Sequence, residues 1–111
     1  MSPIKILQWK EGFMEMVVLF QVFLLKDSYY IWVGNESVRM NNLDVALQTP
    51  YDTIPAVTSL IGNSTEGYGK SISQKLVKKF GKVVFLSLNI DHKIPHLPEW
   101  CEKKLIQKLS Q

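Results

Sequence analysis

The most constraining stretch of the chain is the thirteen-residue run from Phe13 to Leu25, where only Glu15 and Gln21 interrupt an apolar series free of Gly and Pro. A helix that crosses a bilayer needs about 20 apolar residues, so this run is too short to span a membrane. It is also a poor signal peptide, because Glu11 and Glu15 sit where positive charge belongs and Lys26-Asp27 follows where a small-residue cleavage site is needed. A core element remains. The run is rich in β-branched and aromatic residues and apolar on both parities, which predicts a strand over Met14 to Lys26, central in a sheet and covered on both faces.

The neighbouring segments read in the same way. Ile4 to Trp9 is strand-like, Lys26-Asp27-Ser28 supplies turn chemistry, and Tyr29 to Val33 is a third strand stopped by Gly34-Asn35, which together make a β-meander. Leu43, Val45 and Leu47 share one parity and point to a fourth strand. Pro50 and Pro55 then bracket an irregular connection before a short strand from Ala56 to Ile61. After Gly62 the period changes: Ile72, Leu76, Val77 and Phe80 form a helical stripe with Lys75, Lys78 and Lys79 off it, and Gly81 is placed for a C-terminal cap. Lys82 to Ile90 is again β-prone. Pro98 opens a second helix in which Trp100, Leu105 and Leu109 can face a core. Strands first and helices late predict an α+β fold, an antiparallel sheet or sandwich of about six strands packed with two helices, and one domain over residues 1–111.

With 46% hydrophobic and 21% charged residues spread along 111 positions, the chain lies in the globular range, where one core is available. The single cysteine, Cys101, excludes an intramolecular disulfide, and the absence of a secretory pattern predicts a cytosolic or nuclear protein that leaves the glycosylation-like triplets at Asn35 and Asn63 unused. Charge is uneven: residues 1–69 carry four basic and seven acidic side chains, residues 70–111 nine basic and three acidic. A basic C-terminal third favours acidic partners.

No catalytic constellation emerges, and no cofactor is expected. Gly62 to Ser71 ends in Gly-Lys-Ser between a strand and a helix, as a phosphate-binding loop does, but Ser64 stands where the first glycine belongs and Glu66 would put a carboxylate in the anion cradle. A flexible, solvated loop over Gly62 to Lys70 is the plainer reading, with a nucleotide-binding switch as the alternative. His92, His96 and Cys101 are three candidates where a structural zinc site wants four, and Pro95 and Pro98 keep the histidines off one helix. Nothing around Cys101 lowers a thiol pKa. Asp27, Asp52 and Asp91 suit turns and caps. Lys75, Lys78, Lys79 and Lys82 match a nucleic-acid patch in charge only, since Arg39 is the one arginine and no aromatics are interleaved for base stacking, so a basic nucleic-acid-binding module ranks behind a protein contact.

Asp27-Ser28, Trp32-Val33-Gly34, Asn42-Leu43, Val45-Ala46 and the series Tyr51-Asp52, Ile54-Pro55, Thr58-Ser59-Leu60 and Gly62 strongly resemble the proteasome assembly chaperone 4 family. The most specific part is Tyr51 to Gly62, the resemblance covers about residues 20–90, and Gln74, Leu76 and Lys78 extend it into the helix. It implies a non-enzymatic chaperone that pairs with proteasome assembly chaperone 3, helps build the alpha ring of the 20S core through the alpha subunits, the fifth in particular, and leaves as beta subunits join. Most motif residues read as architectural: Gly34, Pro55 and Gly62 shape the backbone, while Trp32, Ile54 and Leu60 fill space. The lysines at 75, 78, 79 and 82 are the candidate partner-binding residues.

Overall fold

The computed structural model describes residues 4–35, 42–62, 68–91 and 93–111. Within them the chain forms β1 (Lys5–Phe13), β2 (Met16–Leu24), β3 (Ser28–Gly34), β4 (Leu43–Leu47), β5 (Ala56–Ile61), α1 (Tyr68–Phe80), β6 (Val83–Asn89) and α2 (Leu97–Leu109). All the expected strands and both helices are present, with β1 running four residues beyond Trp9 to a tight turn at Met14. The strands make one sheet in the order β1-β2-β3-β6-β4-β5.

Four of the five pairings are antiparallel, and β3 pairs with β6 in parallel. The mixed topology follows from chain order, because a strand laid parallel to an earlier one needs a long crossover, and α1 lies on that connection. Val83 starts level with Ser28, and its amide donates to the Asp27 carbonyl at 3.2 Å. The side chain of Asn42 extends the sheet beyond β4: its amide donates to the Leu88 carbonyl at 2.7 Å and its carbonyl accepts from the Leu88 amide at 2.8 Å.

The sequence stripe on α1 faces inward as its spacing dictates, with Ile72, Leu76 and Val77 buried and Phe80 edge-on to Tyr29. Gly81 ends the helix in the left-handed region at φ 68°, its amide bonded to the Val77 carbonyl at 2.8 Å. Pro98 lies in the first turn of α2, which buries Leu97, Cys101 and Leu105. Both helices lie on one face of the sheet, over a core of Val18, Phe20, Val22, Ile31, Val33, Ala46, Val84 and Leu86. Trp100 joins it by packing against Phe13 and Phe20.

The expected covering of β2 on both faces changes, and β4 shows the same division. β2 is an interior strand, second from the sheet edge, but only Val18, Phe20 and Val22 are under helices; Leu19, Gln21 and Phe23 point to the other side and remain half-buried. On β4 the parity that meets the helices is Asp44 and Ala46, not that of Val45 and Leu47. The reason is the same for both: two helices cover one face, so apolar residues of opposite parity belong to a second, uncovered face.

Candidate functional site

That second face is built by strand register. Ile6, Phe23, Tyr30, Phe85, Val45 and Thr58 are successive cross-strand partners, one row crossing all six strands. Tyr30 stacks on Phe85 at a centroid separation of 5.8 Å and lies tilted against Phe23 at 6.3 Å. The next row is Gln8, Gln21, Trp32 and Ser87, and the one beyond is Lys10, Leu19, Gly34 and Asn89. The surface between β1, β2 and β3 is an open groove lined by Gln8, Lys10, Leu19, Gln21, Phe23, Leu25, Tyr30 and Trp32.

Antiparallel sheets that expose one face to water alternate apolar-in with polar-out. Here the outward residues of β2, β3 and β6 include Leu19, Phe23, Tyr30, Trp32 and Phe85, so the pattern is that of strands covered on both sides. Trp32, expected in the core, belongs to this face: it is half-buried and its indole lies over Gly34, where an added Cβ would come within 2.6 Å of the ring. Gly34 is therefore needed for close approach, not merely as a strand stop.

The lysines lie on the opposite side of the molecule. Lys78 and Lys79 on α1 are exposed, as the stripe requires. Lys75 is engaged with Glu102 of α2 at 3.2 Å. The Lys82 ammonium donates to the Lys26 carbonyl at 2.7 Å and lies 5.6 Å from the Tyr29 ring centre, so it ties the start of β6 to the β2–β3 turn rather than joining a free patch.

The motif residues divide. Asp27 and Ser28 close the β2–β3 turn, where the Leu25 amide donates to the Ser28 carbonyl at 2.9 Å. Pro55 is buried and its carbonyl accepts from Gln74 at 2.9 Å. The Asp52 carbonyl accepts from Gln48 at 2.7 Å, closing the β4–β5 connection, and Gly62 takes φ 81°. Ser59 donates to Asp44 at 2.6 Å. Tyr51, Ile54 and Leu60 do not fill space: they are 92%, 62% and 53% exposed. Thr58 is exposed on the helix-free face.

Asp44, which carried no role in the sequence reading, is 4% exposed, and its Oδ2 lies 2.7 Å from where a Gly69 Cβ would sit in the first turn of α1. A carboxylate thus occupies the helix end at which a phosphate would have to bind, and this weighs against a nucleotide at the Gly-Lys-Ser segment. Residues 63–67 of that loop, with the expected flexibility of Gly62 to Lys70, lie outside the described residues, as does His92. His96 is exposed at φ 67° and Cys101 is fully buried. Burial pushes the Cys101 thiol up to about 12, which removes the thiolate that nucleophilic chemistry would need.

A family model for proteasome assembly chaperone 4 matches residues 17–90. The chain belongs to the proteasome assembly chaperone 4 family. Proteasome assembly chaperone 4 of Homo sapiens is 38% identical over 96 residues, covering 86% of this chain and 77% of that protein. The Mus musculus protein matches to the same extent. A chain in the crystal structure of a chaperone complex for yeast 20S proteasome assembly shares the fold at a TM-score of 0.74 and 10% identity, over 96% of this chain and 95% of that one. The chain is thus a non-enzymatic proteasome assembly chaperone by family. Among the described residues no helix is long and apolar enough to cross a membrane. Sequence reasoning missed the helix-free face of this chaperone 4 family member, although its signal was present in the apolar residues on both parities of β2 and β3.

Proposed function

We propose that the chain is one half of a heterodimeric chaperone of 20S core assembly, with proteasome assembly chaperone 3 covering the helix-free sheet face. The observation that carries this reading is the row from Ile6 through Phe23, Tyr30 and Phe85 to Val45, an apolar band with no described element over it. A second sheet packed about 10 Å away would complete a sandwich and remove that band from water. Covering such a band is favourable by about 25 cal/mol per Å² of apolar surface, and a partner that binds only the folded chain stabilises it further by mass action.

In this reading the pair works on the alpha ring, contacting alpha subunits, the fifth in particular, and departs as beta subunits arrive, in the cytoplasm or the nucleus. The helix layer, with Lys78 and Lys79 outward, is left free for an acidic alpha-subunit surface. Co-expression and size-exclusion chromatography with a chaperone 3 homologue of the same organism test the pairing. A one-to-one complex is the expected result, and two chains that elute separately under all mixing ratios would contradict it.

A further inference from the structure

We infer that the helix-free face selects a partner that carries a carboxylate opposite Lys10 and hydrogen-bonding side chains opposite Gln8 and Gln21, and that Lys10 disfavours a second copy of this chain. The inference rests on the reading that another chaperone covers this face, and it adds the chemistry by which that chaperone is chosen. Gln8 and Gln21 are direct cross-strand partners on β1 and β2, and Lys10 stands opposite Leu19 one step along the same face. They border the apolar row and line the groove with Phe23, Tyr30 and Trp32.

Their polar groups have no partner among the described residues. Ser87 and Asn89, the polar residues at the β6 end of the same rows, bond to each other at 2.8 Å. Among the described residues, Gln8 and Gln21 make no side-chain hydrogen bond and Lys10 no ion pair. Facing water this costs nothing. Under a purely apolar layer, two carboxamides and an ammonium would be stripped of water without replacement, which is strongly unfavourable.

A copy of this face could pair its own carboxamides with Gln8 and Gln21, but its described strands bring no carboxylate to Lys10. The acidic strand residues are Glu11, paired with Lys104 at 3.2 Å, and Asp44, bonded to Ser59; both lie on the helix side. No described strand residue on the helix-free face is Asp or Glu, so in a symmetric pair the described strands offer Lys10 no carboxylate. A few polar groups inside an apolar interface act as a choice between partners, admitting the chain that satisfies them and penalising the chain that does not.

The test compares the wild type with the triple variant Gln8→Leu/Lys10→Met/Gln21→Leu. Titration calorimetry against a chaperone 3 homologue and sedimentation velocity of the chain alone give the preference for partner over self. Since these side chains are exposed or half-buried on an uncovered face, circular dichroism should be unchanged. The preference is expected to fall by about tenfold or more, with self-association appearing in the variant. An Ile6→Lys variant, at an exposed position of the apolar row, separates the two claims. Binding that Ile6→Lys weakens, with a preference that the triple variant leaves unchanged, overturns the selectivity while the covered face stands. Binding that Ile6→Lys leaves intact overturns both.

Discussion

Replacing Asp44 probes the junction that holds α1 to the sheet. Its carboxylate, 4% exposed, accepts from Ser59 of β5 at 2.6 Å and lies over the first turn of α1, which contains no acidic residue of its own. A hydrogen bond to a charged group contributes about 1.5 to 3 kcal/mol, and a negative charge at a helix N-terminus about 0.3 to 1 kcal/mol, more when partly buried. Part of that is offset by the cost of burying the carboxylate. Asp44→Ala should therefore lose about 1 to 3 kcal/mol and Asp44→Asn, which keeps an acceptor for Ser59 but not the charge, about 1 kcal/mol or less. Urea denaturation at neutral pH and fixed protein concentration measures both, and Ser59→Ala with the double variant closes a cycle. A coupling of about 1 kcal/mol or more between the two positions is expected. An Asp44→Ala midpoint indistinguishable from wild type, or strict additivity with Ser59→Ala, would refute the junction.

Three further outcomes follow from the placement of single residues. Trp32→Ala should cost the isolated chain only about 1 to 2 kcal/mol, because the indole is half-buried, yet weaken the chaperone heterodimer more than any core truncation of equal cost; Tm and calorimetric titration separate the two effects. Cys101, raised from 9.0 to about 12, stabilises the fold fully below pH 9 and loses that contribution as pH climbs toward 12, by about 1.4 kcal/mol per pH unit, so stability of the wild type should fall more steeply over that range than that of Cys101→Ala. Lys78→Glu/Lys79→Glu should slow association with the alpha subunit at low salt and leave the heterodimer unchanged, and an unaltered rate in stopped-flow mixing would reduce these lysines to a solvated face.

Element identity was legible wherever one period dominated. The stripe Ile72, Leu76, Val77, Phe80 gave α1 its inward face, and Gly81 its end, because nothing else in that segment competes with a 3.6-residue repeat. The strands were equally readable, but their faces were not. Leu43, Val45 and Leu47 mark β4 by their shared parity without saying which face meets the helices, which is that of Asp44 and Ala46, and no local pattern announces a carboxylate that is buried because it has Ser59 and a helix end to bond. Trp32 stands in an aromatic strand beside a glycine stop, a setting that cannot distinguish burial under a helix from burial awaiting another chain. The stripe puts Lys75, Lys78 and Lys79 outward while Lys82 is half-buried, and long-range partners that no local pattern announces engage two of the four: Glu102 lies 27 residues from Lys75, and the Lys26 carbonyl 56 residues from Lys82. The parallel β3–β6 pair is likewise non-local, set by where α1 returns the chain.

The central claim, that a second chaperone covers the helix-free face, is tested most directly by cross-saturation NMR on the complex with a chaperone 3 homologue. With the partner saturated, signals of Phe23, Tyr30, Trp32, Val45 and Phe85 should lose intensity while those of Ile72, Leu76 and Val77 under α1 are spared. Attenuation confined to the helix layer, with the apolar row from Ile6 to Val45 untouched, would contradict it.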